Sequence, residues 1–93
     1  MPKLTQEELD STLQGLDGWR VDENELRKQF EFGAYLDGLE FATALGQEAE
    51  KRDHHPDMTI TWRKVLVSLS THSEGGITSK DADLARFADS LLV

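Results

Sequence analysis

The sequence predicts one α+β domain over residues 1–93: a four-stranded antiparallel sheet with three helices packed on one face, in the order α-β-β-α-β-β-α. Two observations predict this fold. Segments whose apolar residues recur every three or four positions, typical of helices, alternate with segments whose apolar residues recur every second position, typical of strands. The strand segments occur in two adjacent pairs with short connections, which favours antiparallel hairpins. The helices are then expected to pack on one face of that sheet, because their apolar stripes must be buried.

The first helix is predicted over residues 5–16. Thr5 and Glu8 have the spacing of a capping box, in which each residue satisfies a backbone N–H at the start of the helix. An apolar stripe at helical spacing follows: Leu9, Leu13 and Leu16. Asp17 and Gly18 are expected to end this element.

A hairpin is predicted next, with strands at residues 19–21 and 25–32 joined by a turn at residues 22–24. In the second strand, Leu26, Phe30 and Phe32 share one face. Lys28 interrupts that face, as is expected of a half-exposed strand.

The longest helix is predicted over residues 35–52, where Leu39, Ala42, Leu45 and Ala49 repeat at helical spacing. Its end is expected near residue 53, because a residue that precedes a proline disfavours helical backbone and Pro56 follows closely.

The second pair of strands is predicted at residues 58–62 and 65–71, and residues 63–64 between them form either a turn or a continuous bend. The final helix is expected to start at Thr78 and to reach about Leu92. Its apolar stripe consists of Leu84, Phe87, Ala88 and Leu91.

Composition excludes several classes of protein. With 18 acidic and 10 basic residues and a net charge of −8, the chain lacks the basic surface that nucleic acids or anionic membranes require. It has no cysteine, so disulfides, thiolate chemistry and cysteine-based zinc sites are excluded. No apolar run approaches the roughly 20 residues that span a bilayer. The first residues show no apolar signal core, and a cytoplasmic location is expected.

Three histidines are the candidates for chemistry: His54, His55 and His72. The first two follow the end of a predicted helix and the third ends a predicted strand. Imidazole exchanges protons near neutral pH, because its ordinary pKa is about 6.5. Histidines without cysteine therefore indicate general acid–base catalysis.

Three further side chains are expected to support the histidines. Glu50 lies four residues before His54 and shares its face if the helix continues that far. Asp81 lies in the first turn of the final helix, and a carboxylate on a ring nitrogen fixes the tautomer of a histidine. Trp62 offers a flat apolar wall for a planar heterocycle.

Each of these residues also has a purely structural interpretation. The two adjacent histidines fit a solvated helix end, and His72 fits an ordinary strand end. Trp62 fits a core position, and Glu50 fits the surface of a helix. Asp81 fits a capping box with Thr78.

Taken together, the spacing of these residues resembles that of the pterin-4a-carbinolamine dehydratases. The resemblance covers most of the chain, from the Trp19 hairpin to the last helix. It is carried by the following residues: Glu50, His54-His55-Pro56, Trp62, Ser70-Thr71-His72, Gly75-Gly76-Ile77-Thr78 and Asp81.

The resemblance implies a hydro-lyase that removes water from a 4a-hydroxytetrahydropterin and gives the quinonoid dihydropterin, in the recycling of a tetrahydrobiopterin-type cofactor. It implies His54, His55 and His72 as proton-transfer residues, with Glu50 and Asp81 as supporting carboxylates. It leaves open which histidine is acid and which is base. The substrate-binding residues that it implies are Asp53, His54, His55, Pro56, Trp62, Ser70, Thr71, His72 and Ser73. The expected ligand is the pterin substrate alone, without metal or cofactor.

Two other functions stay open. Mammalian members of the family also serve as dimerisation partners of a homeodomain transcription factor, and a histidine cluster with Glu50 could bind a metal, although no HExxH pattern is present. A homodimer or homotetramer is expected, because the chain is small and its final strand is expected to expose an edge. None of the three histidines is expected to lie in the core.

Overall fold

The computed structural model describes residues 2–92 and confirms the predicted order of elements. They are α1 (Gln6–Gln14), β1 (Arg20–Asp22), β2 (Glu25–Glu31), α2 (Tyr35–Arg52), β3 (Asp57–Thr61), β4 (Lys64–Leu69), a short 3₁₀ helix (His72–Glu74) and α3 (Ser79–Ser90). The sheet is antiparallel throughout, with strand order β1-β2-β4-β3. The predicted fold class is therefore correct.

The helix starts follow from their capping residues. Thr5 accepts a hydrogen bond from the backbone of Glu8 and donates its own N–H to the Glu8 carboxylate, so the predicted capping box is present. The end of α1 was predicted two residues too late. Its backbone leaves the helix at Gly15, and Leu16 is buried beyond the helix end.

The two hairpins differ from the prediction in detail. Glu23 and Asn24 both have positive φ, of 52° and 63°, which is the backbone of a two-residue type I′ turn. In the second hairpin Thr61 pairs with Lys64, so the connection is a turn and not a continuous bend. It is formed by Trp62 and Arg63, one residue earlier than the turn predicted at residues 63–64.

The final strand is not at an edge, contrary to expectation. β4 lies inside the sheet, where it pairs with β2 on one side and β3 on the other. The sheet edges are formed by β1 and β3. The three residues of β4 that face the helices, Val65, Val67 and Leu69, are among the most buried of the molecule, as befits a central strand.

The core lies between the sheet and the helices. It joins the inner faces of β2 and β4 to α2 and α3 through the following buried side chains: Leu9, Leu16, Trp19, Leu26, Phe30, Phe41, Leu45, Ala49, Val65, Val67, Leu69, Ile77, Leu84, Ala85 and Ala88. Across residues 2–92, no helix combines the length and the apolar character needed to cross a membrane.

Candidate active site

The end of α2 sets the directions of the first two histidines. Asp53 follows the helix with a left-handed backbone, at φ 50° and ψ 43°. Its N–H donates to the carbonyl of Glu50, and the N–H of His54 donates to the carbonyl of Ala49. These two bonds form a Schellman motif, which reverses the chain at the end of a helix. As a result, His54 lies inside the protein and His55 lies outside.

His54 is buried, with 9 % of its surface exposed. Its Nε2 lies 2.5 Å from Oδ1 of Asp81, and the Asp81 side chain is fully buried. The expectation that no histidine lies in the core is therefore wrong for His54. We call His54 and Asp81 the inner pair.

The second oxygen of Asp81 joins a buried network. Asp81 Oδ2 accepts hydrogen bonds from the Thr71 hydroxyl at 2.8 Å and from the Thr78 backbone N–H at 2.9 Å. The two threonine hydroxyls lie 2.8 Å apart. Asp81 therefore makes two contacts, since Oδ2 caps α3 and Oδ1 lies against His54. The sequence marked Thr78 only as a helix cap, and its place in this network was missed.

His55 and Glu50 form an outer pair in solvent. His55 Nε2 lies 2.7 Å from Glu50 Oε1, and the two side chains are 57 % and 78 % exposed. Glu50 was expected to share a face with His54 only if the helix continued that far, and it does not, because α2 ends at Arg52 and the backbone turns at Asp53. Because both side chains are largely exposed, their contact contributes at most about 1 kcal/mol to stability.

His72 begins the short 3₁₀ helix and is exposed. Together with Ser70 it lines a pocket of about 240 Å³. Thr71 lies between Ser70 and His72 in the chain, but it is buried, with 7 % of its surface exposed. Ser73 follows in the same 3₁₀ helix and is exposed.

The opposite wall of the His72 pocket is formed by the β1–β2 hairpin, which sequence reasoning did not include. Glu23, Asn24 and Glu25 contribute to this wall. Arg27 holds Glu25 in place with an Nη2–Oε1 distance of 2.9 Å. That hydrogen bond is the largest of the interactions that raise the pKa of Arg27. No signal in the sequence joins this hairpin to His72, because they meet only through the sheet.

The candidate residues around the histidines lie at one end of the sheet. Strand β3 begins at that end, directly after Pro56, and β4 finishes there, directly before Ser70. The bridge between Thr71 and Gly76 then leads the chain into α3. Among residues 2–92, no group of three or more histidine and carboxylate side chains is placed to hold a metal ion.

Trp62 lies far from the histidines of the same chain. It lies in the β3–β4 turn at the opposite end of the sheet, separated from Pro56 by the length of β3. At about 3.4 Å per residue, that length is roughly 17 Å. Trp62 is 71 % exposed, and the Arg63 guanidinium lies 4.4 Å from the centre of its ring. Its position therefore does not support the expected contact with a substrate at the histidines.

Fold and site together define a small antiparallel α+β protein that carries two histidine–carboxylate pairs at one end of its sheet. Residues 2–91 match the family model described as pterin 4 alpha carbinolamine dehydratase. The chain belongs to this family. The family name describes the removal of water, which places the chain among the hydro-lyases.

Relatives in other organisms agree with this assignment. A protein of Mycolicibacterium vanbaalenii, provisionally named pterin-4-alpha-carbinolamine dehydratase, is 46 % identical over 92 residues, which are 99 % of each chain. One of the same name from Natronomonas pharaonis is 48 % identical over 89 residues, covering 96 % of this chain and 95 % of the relative.

Two solved structures are similar. The crystal structure of a transcriptional coactivator/pterin dehydratase from Brucella melitensis has a TM-score of 0.92 and 33 % identity, and the match covers 95 % of this chain and 96 % of that one. A pterin dehydratase-like protein, identified as a RuBisCO assembly factor in the alpha-carboxysome, has a TM-score of 0.65 and 23 % identity, covering 78 % and 84 % of the two chains. The second likeness shows the fold alone.

Proposed function

We propose that this protein removes water from a 4a-hydroxytetrahydropterin and releases the quinonoid dihydropterin. The activity would serve the recycling of a tetrahydrobiopterin-type cofactor in the cytoplasm. The observation that carries the proposal is the placement of a buried and an exposed histidine–carboxylate pair at the end of the sheet where His72 also lies. Membership of the dehydratase family supports the same chemistry.

The reaction needs two proton transfers. An acid donates a proton to the hydroxyl on carbon 4a, and the carbon–oxygen bond breaks as water leaves. A base removes the proton of the adjacent ring nitrogen, whose electron pair then forms the new carbon–nitrogen double bond. One proton enters and one leaves, so the sum is the substrate minus water, without oxidation or reduction. A positioned acid or base contributes typically 10²–10⁴-fold to such a step, by order of magnitude.

His54 and His72 are the two groups that we assign to proton transfer. Asp81 holds His54 in one orientation from inside the protein. His72 comes from a different element, which allows it to approach a flat substrate from another side. The assignment leaves open which of the two acts as the acid.

His55 is assigned mainly to holding the pterin. Its outer pair with Glu50 lies in solvent, where a bound ligand can reach both groups. Asp53, Pro56 and Ser73 are each adjacent to a histidine in the chain, and Ser70 lies two residues before His72. These four residues complete the proposed substrate site. Trp62 is left out of the site because of its distance along β3.

A direct assay tests the proposal. Purified protein should accelerate the loss of water from a 4a-hydroxytetrahydropterin, followed by the absorbance of the quinonoid product. Activity should be unchanged after dialysis against a chelator, because the proposed chemistry uses side-chain protons alone. Absence of acceleration would contradict the function. Loss of activity on chelation, with recovery on addition of zinc, would contradict the mechanism.

We also propose that the protein is a homodimer or homotetramer that pairs through the β3 edge. No strand of residues 2–92 pairs with the outer side of β3, and such an edge can add a strand from a second copy. Light scattering at micromolar concentration should give two or four times the chain mass of 10.5 kDa.

A matched pair of variants identifies the edge. Ile60→Lys places a charge on β3, where the side chain is 41 % exposed, and should shift the mass towards the monomer. Val21→Lys makes the same change on β1, at 40 % exposure, and should leave the mass unaltered. A monomeric wild-type protein would refute the proposal, and an effect of Val21→Lys alone would move the interface to β1.

A further inference from the structure

We infer that Thr71 is a positioning residue for His54, acting through Asp81, and that the network holds His54 with its proton on Nε2 and its free lone pair on Nδ1. The role in catalysis rests on the proposed function, whereas the assignment of the proton rests on the hydrogen-bond geometry together with an ionised Asp81. Thr71 would then serve the reaction from inside the protein and not as part of the substrate-binding surface.

The directions of the hydrogen bonds follow from counting protons. An ionised carboxylate only accepts, so the single hydroxyl proton of Thr71 points at Asp81 Oδ2. Thr71 Oγ1 has no second proton, and the Thr78 hydroxyl must therefore donate to it. Thr78 Oγ1 in turn accepts from the backbone N–H of Lys80. The chain of donors runs in one direction, from the start of α3 to Asp81.

The other oxygen of Asp81 decides the tautomer of His54. Oδ1 lies 2.5 Å from Nε2, and because the carboxylate accepts, Nε2 carries the proton. The carboxylate cannot rotate away, since Oδ2 is held by the Thr71 hydroxyl and the Thr78 N–H. Removing the Thr71 hydroxyl leaves Oδ2 with one donor fewer and frees the carboxylate to turn.

Nδ1 is the ring nitrogen left for chemistry. Among residues 2–92, no buried side-chain nitrogen or oxygen lacks a hydrogen-bond partner. The His54 ring makes its hydrogen bond to Asp81 through Nε2. Nδ1 is therefore in contact with solvent, within a side chain that is 10 % exposed. A substrate would meet a lone pair there when His54 is neutral, and a proton when it is charged.

The test compares Thr71→Val with Thr71→Ser. Valine keeps the shape of threonine and removes the hydroxyl, and it should lower kcat about 10-fold with little change in KM, because one buried hydrogen bond to a charged group is lost. Serine restores the donor and should keep kcat within about 2-fold of wild type. Thr43→Val, at an exposed position of α2 away from the histidines and from the β3 edge, is the matched control and should have no effect.

The ¹⁵N NMR spectrum of the His54 ring gives an independent readout. With the His54 ring neutral, wild type and Thr71→Ser should show the tautomer protonated on Nε2, and Thr71→Val should show a mixture. If Thr71→Val does not fold, Thr71→Ala provides the same comparison. Wild-type kcat together with an unchanged Nε2–H tautomer in a variant without the hydroxyl would overturn the inference. If the wild-type protein proves inactive, the proposed function fails, but the NMR comparison still decides the role of Thr71.

Discussion

Replacing His54 with alanine is expected to lower kcat by about 10²-fold or more, because it removes a proton-transfer group. The variant should also be less stable. Asp81 is fully buried, and without the imidazole its Oδ1 loses its partner, at a cost of about 1–3 kcal/mol. Steady-state kinetics and thermal unfolding followed by circular dichroism measure the two effects. The loss of stability departs from the sequence-based expectation, which placed no histidine in the core.

A second substitution separates catalysis from folding at this position. Glutamine at position 54 offers an amide N–H to Asp81 but cannot transfer a proton at neutral pH. His54→Gln should therefore recover part of the stability that His54→Ala loses, while turnover stays low. Turnover near that of wild type in a folded His54→Gln protein would remove His54 from the mechanism.

Replacing His72 with alanine should lower kcat by a similar factor, about 10²-fold or more, with little effect on folding. His72 is exposed at the start of the 3₁₀ helix and lies outside the core. Substitutions at such positions usually change stability by no more than about 0.5 kcal/mol. Kinetics on the variant, with circular dichroism as the folding control, give the result.

Glu74→Ala provides the matched control for His72→Ala. Glu74 is exposed in the same turn of 3₁₀ helix, and its removal should leave kcat unchanged. Nearly normal turnover by a folded His72→Ala protein would end the mechanism with two proton-transfer histidines. It would leave the membership of the family untouched.

Local sequence signals were sufficient for most of the fold. The bounds of α2 were predicted correctly, because a long amphipathic repeat is followed closely by Pro56. The turn of the second hairpin was displaced because Trp62 continues the apolar alternation of β3 although its backbone has already left the strand. The order of the strands could not be predicted, because the position of a strand within a sheet depends on contacts between residues that are distant in the sequence.

The sequence was sufficient to select candidate residues for the site, but not to predict which of them contact each other. Three histidines and two carboxylates were selected, and the structure arranges four of these five residues as two pairs. The pairs themselves could not be predicted from spacing. His54 reaches Asp81 across 27 positions of sequence, and Glu50 meets His55 because of the backbone conformation of Asp53.

The left-handed backbone of Asp53 has a consequence for how this protein can diverge. His54 and His55 have the same side chain, so their different environments come from their positions alone. Whether each one points inward or outward depends on how many residues separate it from the end of α2. Adding or deleting one residue between Ala49 and Asp57 would exchange or erase the two environments without altering either histidine. Over this stretch, therefore, the site depends on the length of the chain as well as on the identity of its residues. A homologue with both histidines but a shifted helix end would retain the motif and lose the site.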